Sequence, residues 1–312
     1  MRKSIWQTFK EQRHLQIMAL LGVVWMLVFN YAPMYGIIVA FKKNYKITES
    51  LFSLSFLKTP WADANGFQHF INFIKDPEFG NILANTLGMS ILKLVIGFPL
   101  PIAFAILLNE LRNPRFKRWV QTISYLPHFL SWVVLGGILT NWLSNTGLIN
   151  QVLMLAGLSK EGVTFLAEPK YFWGIIVISD IWKELGWSAI IYLAAIVGID
   201  PELYEAATVD GASRFRQIFA ITLPSIKGTI TILFILAVGN LLNSNFDQIL
   251  VLWNPLNASR ANVIDIYVYH VAMRSMRYSY ASAIGLFKSV VAFILLFIAN
   301  RVTKKLNEVS LF

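Results

Sequence analysis

Apolar residues in this chain come in blocks of about twenty or more, long enough to cross a hydrocarbon core of about 30 Å. Nothing else in the sequence restricts the fold as much, because backbone inside a bilayer must satisfy its own hydrogen bonds and helices do so within one segment. Six blocks qualify, residues 15–41, 85–108, 119–143, 172–197, 226–253 and 281–299. With 56% hydrophobic and 14% charged residues and a mean hydropathy of +0.57, the chain reads as an all-α integral membrane protein of about six transmembrane helices. The first block follows "MRKSIWQTFKEQRH". It is longer than the apolar region of a secretory signal and no small-residue cleavage site follows it, so it reads as an uncleaved anchor.

Several function classes fall away on residue types alone. The chain has no cysteine, so it offers neither a disulfide framework nor a thiolate metal site, and His14, His69, His128 and His270 lack HExxH spacing. No GxxxxGK[ST] run is present to cradle phosphates; "GLFKS" at 285–289 has the wrong spacing and sits in an apolar block. No GxSxG elbow or Ser/His/Asp set points to a hydrolase. The formal charge of +10 sits beside apolar blocks rather than in one stripe interleaved with aromatics, which argues for membrane orientation and against nucleic acid.

Basic residues near block ends set the orientation. With a cytoplasmic N-terminus, Arg2, Lys3, Lys10, Arg13, Arg112, Arg115, Lys117, Arg118, Arg214, Arg216, Lys227, Arg301, Lys304 and Lys305 lie inside. Lys42, Lys43, Lys46, Lys58, Lys75, Lys160, Lys170, Arg260, Arg274 and Arg277 lie outside. The bias is modest and rests on the compact "NPRFKR" loop, with the Lys42–Lys46 cluster pulling the other way. Both termini are expected in the cytoplasm. So is the polar stretch "YEAATVDGASRFRQIFAITLP" between the fourth and fifth blocks.

That stretch has its own folding logic. Asp200 suits an N-cap, Pro201 the first helical position and Glu202 the positive helix end, so a helix starts at Pro201 with Leu203, Ala206 and Ala207 on one side. Asp210-Gly211 breaks it. A second short helix carries Phe215, Ile218 and Phe219 at i, i+3, i+4, and Leu223-Pro224 marks the bend into the fifth block. The bland interpretation is an amphipathic connector at the headgroups. Against it, Ala206, Ala207, Gly211 and Ala212 permit close approach of another protein, and Glu205 and Asp210 are not what an anionic membrane surface attracts.

Glu205-Ala206-Ala207, Asp210-Gly211-Ala212 and Leu223-Pro224 fall at the spacing of the EAA signature, so the chain resembles the permease subunits of bacterial ATP-binding-cassette importers. "GFQHFINFIKDPEFGNILANTL" and "NPRFKRWVQTISYLPHFLSWV" resemble the same family, and "FDQILVLWNP" and "NRVTKKLNEVSLF" its oligosaccharide and polysaccharide branch. The resemblance implies that residues 200–225 form coupling helices seated in a groove of a cytoplasmic ATPase dimer. Glu205 would be the ion-pairing or capping acid, Gly211 the turn, Ala206 and Ala207 the close-packing face, and Asp210, Ala212, Leu223 and Pro224 would complete the loop. It further implies a second homologous permease, the two forming a heterodimer, an extracellular solute-binding protein, a saccharide solute, and ATP and Mg bound by the ATPase rather than by this chain. The resemblance also implies a setting in a bacterial cell membrane, crossed several times. Residues 1–80 would be an anchor helix with an extracellular segment and 81–312 the permease core.

Polar side chains at membrane depth nominate the solute path, because they are costly unless they face protein or water. In the fourth block Asp180, Lys183 and Glu184 lie at i, i+3, i+4, with Trp182 and Trp187 nearby. In the fifth, "GNLLNSNFDQ" supplies Asn240, Asn243, Ser244, Asn245, Asp247 and Gln248. Amides and carboxylates hydrogen-bond sugar hydroxyls, and aromatic faces cover a sugar ring. The competing interpretation is an Asp180/Lys183 salt bridge with asparagines tying helices together. Other importer solutes, such as glycerol phosphate or a polyamine, and a membrane enzyme or stand-alone channel, stay open at this point.

Overall fold

The computed structural model describes residues 12–48 and 50–307. Arg2, Lys3 and Lys10 of the basic N-terminal stretch, and residues 308–312, lie outside the described residues. The described chain is helical, and its one β-type pairing is an isolated bridge between Lys42 and Trp61. The main helices are α1 (Arg13–Phe41), α2 (Phe79–Glu110), α3 (Pro114–Phe129), α4 (Trp132–Trp142), α5 (Pro169–Val197), α6 (Pro201–Val209), α7 (Arg214–Ser225), α8 (Lys227–Gly239), α9 (Phe246–Leu252), α10 (Ile264–Met273) and α11 (Tyr278–Lys305).

Helices α1, α2 and α11 are each long and apolar enough to cross a membrane. The pairs α3/α4, α5/α6 and α7/α8 qualify only together and bend by 99°, 69° and 62°. By length and composition the described residues therefore offer three to six candidate membrane spans. Two of the expected blocks are not single helices. Block 119–143 breaks because Leu126–Phe129 tightens into a 3₁₀ turn containing Pro127, and Ser131 then caps α4 by accepting from the Val134 amide at 3.3 Å. Block 226–253 breaks because α8 ends at Gly239 and α9 starts only after Asn245, whose φ is +54°. Asparagine tolerates that left-handed geometry better than most residues.

Among the described residues, three helices contain a wide π turn, at Leu27–Tyr31, Lys93–Gly97 and Ile218–Thr222. Each ends two residues before a proline, Pro33, Pro99 or Pro224. Proline has no amide hydrogen and its ring pushes on the carbonyl four residues back, so the preceding turn widens instead of breaking.

Two compact units share the chain, one formed by Met1–Lys75 with Val271–Leu286 and the other by Asp76–His270 with Phe287–Phe312. In the first, Arg13–Met26 buries none of its residues and exposes Leu15, Met18, Leu21 and Trp25, as a lipid-facing helix does. The segment after α1 is pinned by Lys42, which is buried. Its ammonium donates to the carbonyls of Thr59 (2.7 Å) and Leu57 (3.2 Å) and lies 4.4 Å from the Trp61 ring centroid. Lys43 pairs with Asp63 at 3.5 Å. Two cations of the Lys42–Lys46 cluster are thus committed to local structure, which weakens the cluster as a counter-signal to the orientation rule.

The second unit is organised around α5, which packs along α2 and α3. One apolar cluster gathers Met89, Phe172, Ile176, Ile249, Leu252 and Ile266, and another Ala105, Ala189, Tyr192, Ile196 and Ile226. Glycine sets the closest approaches: a Cβ at Gly186 would meet the Ser124 carbonyl oxygen at 2.2 Å, and one at Gly136 a Val251 methyl at 2.2 Å. Helices in lipid gain little from hydrophobic exclusion of water, so such close backbone contact supplies much of their attraction.

Candidate functional site

Residues 200–225 fold as the helix-turn-helix the sequence predicts, with each cap made locally; the bend into α8 falls at Ile226, two residues past Pro224, because the helix runs on through Leu223 and Pro224. The Asp200 carboxylate accepts from the Glu202 amide at 3.0 Å, with Pro201 in the first turn of α6. At the other end Gly211 has φ +75°, its amide donates to Thr208 O (3.1 Å), and the Ala212 amide donates to Ala207 O (2.8 Å). This is the Schellman pattern, which needs a left-handed residue at the position Gly211 occupies. A Cβ there would meet nothing within 4 Å, so backbone conformation rather than space selects glycine. Ser213 then caps α7, its hydroxyl accepting from the Arg216 amide at 3.4 Å.

The loop presents a mixed surface. Glu205, Ala206, Asp210 and Pro224 are exposed, Ala207, Ala212 and Leu223 half-buried, and Val209, Phe215 and Phe219 are bare apolar side chains. A cavity of about 480 Å³ lies beside it, lined by Glu110, Arg112, Tyr204, Glu205, Arg214 and Gln217 among others. Arg214 reaches Glu110 at the end of α2 at 3.8 Å.

Of the competing expectation, an asparagine tie between helices is present and the Asp180/Lys183 salt bridge is not. Asp180 does not pair with Lys183; its carboxylate meets Lys93 of α2 at 3.1 Å and accepts from the Asn245 side-chain Nδ2 at 3.1 Å. Lys93 also donates to Gln248 at 2.9 Å, and Gln248 donates to Ile176 O and Ser179 Oγ at 2.8 and 2.9 Å. On the other side of the break, the Ser244 amide donates to Asp265 at 3.4 Å, and Lys288 holds Asp265 at 2.5 Å. The interruption between α8 and α9 is therefore clamped by two ion pairs.

Lys183 and Glu184 serve the other break. The Lys183 ammonium donates to the His128 carbonyl (2.6 Å) and to Glu184 (3.0 Å), and Glu184's second oxygen meets His128 Nδ1 at 2.7 Å. The His128 ring stacks on Trp187, centroids 4.3 Å apart. A cation is favourable there, where the last carbonyls of a helix have no partner of their own. Trp182 lies elsewhere, in an apolar cavity of about 300 Å³ with Leu139, Trp142 and Ile178.

What remains open to solvent is smaller than the nominated set. Asn240 and Asn243 are exposed, bonded to each other at 3.1 Å, and line a cavity of about 230 Å³ with Ser90, Lys93 and Phe98. Asp247 is exposed in the first turn of α9. Lys93, His128, Asp265 and Lys288 were missing from the nominated set. The available signal was charge balance, since each acid in an apolar block requires a counter-charge.

The model of the family described as "Binding-protein-dependent transport system inner membrane component" matches residues 97–308. The chain is 41% identical over 304 residues to Protein LplB of Bacillus subtilis, covering 97% of this chain and 92% of that protein. It is 40% identical over 312 residues to the polygalacturonan/rhamnogalacturonan transport system permease protein YteP of the same organism, covering 100% and 94%. Its fold is similar to a chain in the crystal structure of a bacterial alginate ABC transporter in complex with alginate pentasaccharide-bound periplasmic protein. There the TM-score is 0.87 at 36% identity, covering 99% of this chain and 100% of the other.

Proposed function

Because the chain belongs to the family of binding-protein-dependent transport system inner membrane components, we propose that it is one of two permease subunits of an ATP-driven importer that carries an oligosaccharide. It is a transport subunit, not an enzyme. The observation that carries the coupling half of this reading is the capped helix-turn-helix at 200–225. It displays Glu205, Ala206, Asp210 and three bare apolar side chains, a surface suited to a protein groove. In this reading a cytoplasmic ATPase dimer binds ATP and Mg, both termini face it, and residues 1–80 and 81–312 are anchor and core. The membrane is the bacterial cell membrane, crossed several times.

The solute is read from the cavity and the relatives. Lys93, Lys183 and Lys288, the lysines at membrane depth, are each engaged by a carboxylate, so no cation among them is left over to hold a free anion. Asn240, Asn243 and Phe98 instead offer amide donors, amide acceptors and a ring face, which is what a saccharide requires. An extracellular binding protein delivers the saccharide, a reading supported by the family's description and by the periplasmic protein in the alginate transporter complex.

Affinity purification from native membranes in mild detergent tests the reading. A second permease and an ATPase are expected with the chain; a solitary, reproducibly stable chain would overturn it. Glu205→Lys should leave insertion intact and weaken recovery of the ATPase by at least about tenfold, the cost of a like-charge contact. Undiminished recovery would count against docking through this loop.

A further inference from the structure

The two helices of the 200–225 loop are joined to each other by two side-chain rungs. Tyr204 Oη and Thr222 Oγ1 are 2.9 Å apart, and Gln217 Nε2 donates to Thr208 Oγ1 at 3.1 Å and to Ala212 O at 3.3 Å. Thr208 in turn donates to Tyr204 O at 2.7 Å, so the bonds form one continuous chain across the hairpin. Gln217 and Thr222 are buried, Tyr204 half-buried and Thr208 exposed. The two buried polar side chains are costly unless each finds a partner, and each finds it on the other helix.

Their register depends on the π turn. Tyr204 and Thr208 are four residues apart, one α-helical turn, whereas their partners Thr222 and Gln217 are five apart. The Ile218–Thr222 π turn, in which the Leu223 amide donates to Ile218 O, holds the extra residue. A regular α-helix would bring Ile221, not Thr222, opposite Tyr204. The proline at 224 that widens this turn thus also aligns the rungs.

We propose that Tyr204, Thr208, Gln217 and Thr222 are positioning residues that make α6 and α7 a single rigid lever. A displacement at the exposed face then reaches α8 through the Ile226 bend instead of being absorbed within the loop. This inference rests on the ATPase-docking reading above. It separates residues that bind the ATPase from residues that transmit its motion.

The test uses the complete complex in proteoliposomes. Because the chain has no cysteine, Lys227→Cys gives a single reporter in this chain at the exposed start of α8, just past the Ile226 bend, and its labelling by N-ethylmaleimide is compared with ATP and with ADP. Thr208→Val and Thr222→Val, which keep shape and remove the hydroxyl, should retain ATPase co-purification. Each should weaken the ATP-dependent change in labelling by about fivefold, the weight of one neutral hydrogen bond. Thr208→Ser and Thr222→Ser should restore it. Full ATP-dependent change in both valine variants would overturn the lever while leaving docking intact. No ATP-dependent change with the unaltered loop would overturn the docking reading and the lever with it. Amide exchange in the unmodified complex is an independent check. Residues 204–222 should open as one unit, and separate opening of α6 and α7 would overturn the proposal.

Discussion

The loop at 200–225 and the break between α8 and α9 both interrupt the helical pattern, yet they are stabilised by opposite means. In the loop every cap comes from within a few residues: Asp200 to Glu202, Ala212 to Ala207, Ser213 to Arg216. In the break, Ser244 and Asn245 are held by Asp265 and Asp180, themselves fixed by Lys288 and Lys93 from other helices. Water can replace a missing bond at an exposed loop. At membrane depth it cannot, so polar backbone is tolerated only where other helices supply the partners. The interruption in the fifth block is therefore a property of the whole second unit, whereas the loop is a property of its own sequence.

Asp180→Ala should show the largest effect, because it strands Lys93 in a largely buried place. About 3 kcal/mol of stability should be lost, measured as a fall in the detergent-solubilised protein's unfolding midpoint. Adding Lys93→Met should recover most of the loss, since removing both charges leaves none uncompensated; a double variant as unstable as the single would break the comparison. Gly211→Ala comes next. With open space for the methyl group but φ at +75°, the cost is left-handed strain of about 1 kcal/mol. It should appear as faster amide exchange confined to the loop, with Gly211→Asn milder. The smallest effect is expected for Asp200→Ala, about 0.5–1 kcal/mol for a lost cap in the first turn of α6. It should be detectable at the Glu202 amide and absent from the global unfolding midpoint.

The same contrast explains what could be read in the sequence. Pro201, Gly211 and Pro224 act on their own neighbours, so the helix-turn-helix and its ends were legible. The blocks at 15–41 and 172–197 were legible too, as uninterrupted apolar periods. Block 226–253 was not, because apolarity counts residues and does not see that Asn245 turns left-handed once Asp180 and Asp265 receive its neighbourhood. The i, i+3, i+4 spacing placed Asp180, Lys183 and Glu184 together on one helix, but spacing within a helix says nothing about Lys93 or His128 on others. Asn240 and Asn243 were identified through composition and remain exposed at a cavity, while Trp182 and Trp187 were assigned to the same path and lie in separate surroundings.

The wide turn before each proline alters how this chain tolerates changes of length. A π turn is an α turn carrying one inserted residue, so losing one residue from Leu27–Tyr31, Lys93–Gly97 or Ile218–Thr222 closes it and keeps the flanking segments in phase. A deletion elsewhere in the same helices rotates everything beyond it by about 100° and turns lipid-facing side chains inward. Each proline keeps the surplus residue in place, and these three sites are where single-residue deletions paired with loss of the proline should be absorbed.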